Sequence, residues 1–118
     1  HGMDGLDEVT LTDRTWVSEG KAGLVSSYCI EPKDFGLDRA RPKDLMGGTP
    51  EDNAEITRQV LRGWKGPKRD IVCLNAAPAL VAGGKAKTLR EGYELAGKVI
   101  ESGAPIDKLE RLIEFTNR

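Results

Sequence analysis

The sequence predicts an α/β fold, and more narrowly a fragment of a large α/β domain: a β-hairpin followed by about four helices, incomplete without an upstream parallel sheet. Three observations predict it. The first third alternates with period two around a glycine-containing turn, the mark of a hairpin. The last two thirds carry helix caps, helix-period apolar stripes and glycine stops. One helical stretch, Ile71 to Ala82, is apolar nearly all round, broken only by Asn75 and Pro78. A helix without a polar face is a buried helix, and three amphipathic helices with one hairpin give it limited cover. The 118 residues also hold no run of βαβ units from which a central sheet could be built. The chain divides into residues 1–32, a glycine- and acid-bearing loop with the hairpin, residues 33–48, a loop, and residues 49–118, the helices.

The chain opens "HGMDGLDE", with two glycines, one histidine and the adjacent carboxylates Asp7 and Glu8. A short extended piece, Glu8 to Leu11, follows the loop. Trp16 begins a strand, "EGKAG" (Glu19 to Gly23) supplies a turn, and Leu24 to Ile30 form the return strand. Its Leu24, Ser26, Tyr28 and Ile30 lie on one face and Val25, Ser27 and Cys29 on the other. Pro32 closes the hairpin. The stretch "KDFGLDRARPKDLMGG" is punctuated by prolines, glycines and mixed charges, which predicts a long surface loop of the kind that carries function or awaits a packing partner.

Thr49 is placed as an N-cap, with Pro50 at the first helical position, acids in the first turn and Gly63 as the stop. Ile56, Val60 and Leu61 make its apolar stripe. The apolar segment through Ala82 comes next. Thr88 and Glu91 then form a capping box for a helix ending at Gly103, with the stripe Leu89, Tyr93, Ala96 and Ile100. The final helix starts near Pro105 and carries Ile106, Leu109, Leu112 and Ile113.

Composition excludes several functions. Hydrophobic residues are 38% and aromatics 5%, so the core is aliphatic and thin. A net charge of −1, with Lys and Arg scattered, leaves no basic stripe for nucleic acid. No apolar run approaches the roughly 20 residues of a membrane span, and no signal peptide heads the chain, so a soluble, cytoplasmic protein is expected. Cys29 and Cys73 both sit among apolar neighbours and have no partner at metal spacing. They read as small core residues in a reducing compartment, and no zinc site is expected. His1 has no evident base or nucleophile beside it, so no catalytic triad is expected. Neither dinucleotide nor P-loop glycine motif occurs. "VAGGKAKTLRE" lacks the strand that should precede a phosphate loop and reads as a helix-to-helix turn.

Two short stretches could carry chemistry. By spacing alone Asp7 and Glu8 are a solvated acidic turn. Beside Gly5 at a loop end they could instead fan around one ligand or each hold one of two cations, since Mg2+ is commonly held by one or two carboxylates together with substrate phosphates. In "MGGTPEDNA", two glycines before a helix N-terminus could expose amides to an anion, while Glu51 and Asp52 compete for the same place; a plainly capped helix is the simpler reading. Asn75, in an apolar run, must find hydrogen bonds, either within a site or by satisfying a neighbouring loop.

In order, "HGMDGLDE", the hairpin ending "IEPKDFGL", "GGTPEDNA" and "LNAAPALVAGGKAKTLREGYELA" resemble the anthranilate phosphoribosyltransferase family, and specifically its C-terminal third. The resemblance covers essentially the whole chain. It implies the architecture of class II nucleoside phosphorylases, with a small helical domain, a large α/β domain and an active site in the cleft between them. It implies transfer of the phosphoribosyl group from phosphoribosyl pyrophosphate to anthranilate, with release of pyrophosphate, in tryptophan biosynthesis. By the same resemblance Asp7 and Glu8 hold Mg2+ against the pyrophosphate.

The family's glycine-rich phosphate loop, its Asn-Ile-Ser-Thr stretch, its basic flexible loop and its anthranilate-binding arginine lie upstream of the matched region. No catalytic or substrate-binding residue is therefore assigned within these 118 residues, and the chain is expected to be inactive alone. The family's dimer contacts run through the small helical domain, also outside the match. One departure is mild: Asp52-Asn53-Ala54 stands where the family usually has Glu-Asn-Ala. A pyrimidine nucleoside phosphorylase-like relative and a non-enzymatic α/β interaction module are the alternatives; Leu6-Asp7-Glu8 in this context favours the transferase.

Overall fold

A computed structural model describes residues 1–118. Two antiparallel strands, β1 (Thr15–Lys21) and β2 (Leu24–Ile30), are followed by a 3-10 turn (Pro32–Phe35) and five helices: α1 (Pro42–Leu45), α2 (Pro50–Leu61), α3 (Pro67–Ala82), α4 (Leu89–Glu101) and α5 (Ala104–Thr116). The hairpin and the four long helices are as the sequence predicts. The region 33–48 is more ordered than a loop, because prolines at 32 and 42 each start a helical turn. The extended piece expected at Glu8 to Leu11 is not a strand; the isolated bridge in this part of the chain joins Gly2 to Thr15.

The hairpin turn is tighter than "EGKAG" suggested. Thr15 pairs with Ile30 and Lys21 with Leu24, which leaves only Ala22 and Gly23 between the strands. Both have positive φ, at 51° and 79°, the left-handed pair that matches the twist of a two-residue hairpin. Neither strand packs extensively on a helix. The hairpin projects, its base residues Tyr28 and Ile30 are half-buried, and Leu24 and Val25 near the tip are exposed. Cys29 shares this exposure, which corrects its expected place in the core; Cys73 alone is buried.

The core lies where α3 packs on α4. One cluster joins Leu11, Phe35 and Leu74, with Val9, Ile30, Ile71, Leu89 and Tyr93 packed around it. A second joins Cys73, Ala96 and Ile100. Phe35 meets the Tyr93 ring edge-on, with centroids 5.7 Å apart. Gly92 makes the close approach possible: a Cβ there would stand 2.7 Å from the Ala77 carbonyl oxygen. Arg69 crosses the same seam, donating to the Glu101 carboxylate at 2.9 Å and the Gly97 carbonyl at 3.3 Å.

All-round burial of α3 is not observed. Cys73, Leu74 and Ala77 face α4 and the loops, whereas Val72, Ala79 and Ala82 are exposed. The expected stripe of α5 is divided likewise, with Ile106 and Leu109 half-buried and Leu112 and Ile113 exposed. These apolar faces have no covering element in the chain. No helix is long and apolar enough to cross a membrane.

Candidate functional site

Residues 1–16 fold into a closed loop. At its base His1 and Trp16 exchange backbone hydrogen bonds in both directions, each 2.9 Å long. The Met3 amide donates to the Arg14 carbonyl at 2.8 Å, and the Gly2 amide to the Leu6 carbonyl at 2.7 Å. Gly5 sits at φ 101°, a conformation open to glycine and costly for other residues.

Asp4 holds the loop from inside. One carboxylate oxygen accepts from the Leu6 amide at 3.2 Å, closing an Asx turn. The other accepts from the Thr10 hydroxyl at 2.6 Å and from the Thr12 hydroxyl. Burial acts first on this carboxyl and pushes its pKa up, but the bonds from Thr10, Thr12 and the Leu6 amide together outweigh it and hold the pKa below the ordinary 3.8. Gly2 must be small for this arrangement, since a Cβ would lie 2.4 Å from the Asp4 carboxylate and 3.0 Å from Thr10.

Asp7 and Glu8 lie on the exposed part of this loop. Neither takes part in any ion pair of the molecule. The next three residues are anchored in three different ways. The Val9 backbone is gripped by Asn75 of α3: its amide donates to Asn75 Oδ1 at 2.9 Å, and Asn75 Nδ2 donates to its carbonyl at 2.8 Å. The Thr10 amide donates to Thr15 Oγ1 at 3.0 Å. Leu11 is fully buried beside Phe35 and Leu74. The two carboxylates thus stand at the free end of a segment tied to the core.

Whether this pair suits a hard cation can be judged from its donor set. No group of three or more His, Cys, Asp or Glu side chains is arranged to hold a metal ion. Two unpaired carboxylates offer anionic oxygens and leave the rest of a coordination sphere to water and phosphate oxygens, as Mg2+ sites that take substrate phosphates do. The residues therefore fit Mg2+ held jointly with a phosphorylated ligand.

In the glycine stretch before α2 the amides of Gly48 and Thr49 are taken by side chains. Thr49 Oγ1 accepts from the Asp52 amide at 3.2 Å while the Asp52 carboxylate accepts from the Thr49 amide at 3.0 Å. Asn53 grips Gly48 through both backbone groups, at 2.9 and 3.2 Å. The helix is capped by its own side chains, as the simpler reading expects. A groove of about 530 Å³ between α2 and α3 is lined by Ile56, Val60, Ile71 and Val72 among others and includes neither Asp7 nor Glu8.

Two titratable groups meet in the α3–α4 seam. Burial pushes the Asp70 carboxyl up, while the Arg69 charge and the Tyr93 hydroxyl partly restore it. Burial, reinforced by Asp70, raises Tyr93.

Sequence reasoning named Asp7 and Glu8 and left Asn75 between two roles. The structure shows Asn75 satisfying a neighbouring loop, the one that carries Asp7 and Glu8. Asp4, Thr10 and Thr12 were missed. The Asp4-Gly5 dipeptide, a turn signal, was the available clue to Asp4.

The model of the glycosyl transferase family a/b domain matches residues 1–106. The chain belongs to this glycosyl transferase family. Over 117 residues it is 55% identical to anthranilate phosphoribosyltransferase of Desulfosudis oleivorans, covering 98% of this chain and 34% of that protein. Over 117 residues it is 48% identical to the enzyme of the same name from Methanobrevibacter smithii, covering 99% of this chain and 35% of that protein. Among solved structures, anthranilate phosphoribosyltransferase from Thermus thermophilus superposes with a TM-score of 0.75 at 36% identity, over 90% of this chain and 36% of that one. The Saccharomyces cerevisiae enzyme, in complex with 4-fluoroanthranilate, gives 0.81 at 28% identity, over 96% and 33%. The glycosyl transferase a/b region described here spans about a third of the length of the curated relatives it matches. Its hairpin and helices are the corresponding part of their α/β fold.

Proposed function

We propose that this chain is part of an anthranilate phosphoribosyltransferase, a cytoplasmic enzyme of tryptophan biosynthesis that takes phosphoribosyl pyrophosphate and anthranilate as substrates. In this reading the chain supplies Asp7 and Glu8 as ligands of Mg2+. The observation that carries it is the placement of two unpaired, exposed carboxylates on a loop tied to the core at Val9, Thr10 and Leu11. When bound, Mg2+ would neutralise charge on the departing pyrophosphate. The protein's own work is to tie the segment that follows both carboxylates to the core before the ligand arrives, so that less ordering remains to be done on binding. Other groups that touch the sugar, the phosphates or anthranilate belong to the rest of the enzyme, as does the helical domain through which it would form a homodimer.

The test compares the complete protein with its Asp7→Asn and Glu8→Gln variants. Loss of a charged oxygen should raise the Mg2+ concentration for half-maximal phosphoribosyl transfer by at least the roughly 10- to 100-fold that follows disturbance of a ligand's support. An unchanged Mg2+ dependence in both variants would remove the reading. The 118-residue chain by itself is expected to show no transfer.

A further inference from the structure

We infer that Asn75 is a positioning residue for the metal-holding acids, a helix-borne clamp that sets the place of Asp7 and Glu8 by fixing the backbone of Val9. The inference rests on the reading of those acids proposed above. Asn75 comes 66 residues after Val9 in the chain and satisfies both of its backbone groups, at 2.9 and 2.8 Å. Its remaining amide proton goes to the Ile71 carbonyl of its own helix at 3.0 Å. Both amide protons and the amide oxygen are therefore engaged, and the side chain has a single orientation that satisfies all three bonds. A carboxamide paired with a peptide unit in this way does what a neighbouring strand would do for a loop that has none. The neighbours of Asn75 make the clamp stiff, because Leu74 and Cys73 are almost fully buried and Ala77 lies against Gly92 of α4. Glu8 is bonded directly to the clamped residue and Asp7 is one residue further on. A movement of Val9 by a fraction of an ångström passes to both carboxylates, and metal geometry at short metal–oxygen distances is sensitive to such movement.

A purely structural amide would affect stability alone, so the test separates the two. Mn2+ binding in the presence of inorganic pyrophosphate is followed by electron paramagnetic resonance on the complete protein, with Asp7→Asn as reference. Asn75→Ala and Asn75→Asp are expected to weaken Mn2+ binding roughly tenfold, and to raise the Mg2+ needed for half-maximal rate while kcat at saturating Mg2+ falls less. Asn75→Asp keeps an acceptor for the Val9 amide but sets a carboxylate oxygen against the Val9 and Ile71 carbonyls, so its loss should be no smaller than that of Asn75→Ala. Val60→Ala, a cavity beneath α2 in a helix that carries neither Asn75 nor any group bonded to Val9, should lower the melting temperature and leave Mn2+ binding alone. If Asp7→Asn weakens Mn2+ binding and both Asn75 variants match the wild type, the clamp is refuted while the acids stand. If Asp7→Asn has no effect, the reading of the acids fails and the inference with it. Should the Asn75 variants not fold, amide exchange in the wild type decides: the Val9 amide must be protected relative to those of Asp7 and Glu8, and a fast-exchanging Val9 refutes the clamp.

Discussion

Asp4 and Asp7 stand three positions apart in one loop and do opposite work. Asp4 turns inward and spends its acceptor capacity on Leu6, Thr10 and Thr12, while Asp7 turns outward with none engaged within an ion pair. Spacing rules of the strand and the helix do not separate the two, because neither period applies in a loop whose carboxylates fold back on their own backbone. Asp7 and Glu8 could be named only by the company they keep in the sequence. The depressed pKa of Asp4 has a pH consequence. Its folded value lies below the ordinary 3.8, so its contribution is complete above that pH and is lost as the pH falls through the folded value. Titrated by NMR, the amides of Thr10 and Thr12 should shift with a midpoint below 3.8 in the wild type and show no such step in Asp4→Asn. Loss of these bonds should cost up to about 1 kcal/mol, below the usual range for a charged acceptor because the loop is open to water.

The elements were readable wherever a local rule governs them. Thr49 and Thr88 cap α2 and α4 as their sequences predict, each accepting from the amide three residues on. The Glu91 carboxylate departs by one residue, reaching back to the Lys87 amide at 2.9 Å. Rules failed where tertiary geometry decides. Ala22 at φ 51° closes the hairpin although alanine is not a turn signal, since the register of the strands leaves two residues to make the reversal. Gly92 lies inside α4, where a glycine is a weak helix former, and its reason is visible only in the neighbouring helix. Gly92→Ala should gain about 1 kcal/mol in helix propensity. Against that, a methyl group 2.7 Å from the Ala77 oxygen must separate α3 from α4, and overpacking of this kind costs about 1–3 kcal/mol. Because the obstructing atoms are backbone, the steric effect should win, and the denaturation midpoint should fall. A midpoint equal to or above the wild type would show that the seam yields freely.

Taken whole, the molecule is open for its size. Its accessible surface is 8013 Å², where a compact 12.9 kDa chain would have about 6,300 Å². Its radius of gyration is 15.2 Å, against about 13.5 Å for a compact chain of this length. The excess comes from the projecting hairpin and from the bare apolar faces of α3 and α5, and it agrees with the mismatch between apolar helix and available cover that the sequence already contains. Within this chain α3 is buried only toward α4 and the loops, because burial depends on partners as well as on the helix itself. On its own, the 118-residue chain should melt broadly or associate as its concentration rises. A sharp transition of a monomer, independent of concentration, would show that the faces need no cover. The two cysteines supply a direct way to follow this. Cys29 is open to solvent, while Cys73 is sealed in the α3–α4 seam and its thiol is pushed up by burial. An alkylating reagent should therefore modify each molecule in two phases, an immediate one at Cys29 and a delayed one at Cys73 whose rate counts how often the two helices part.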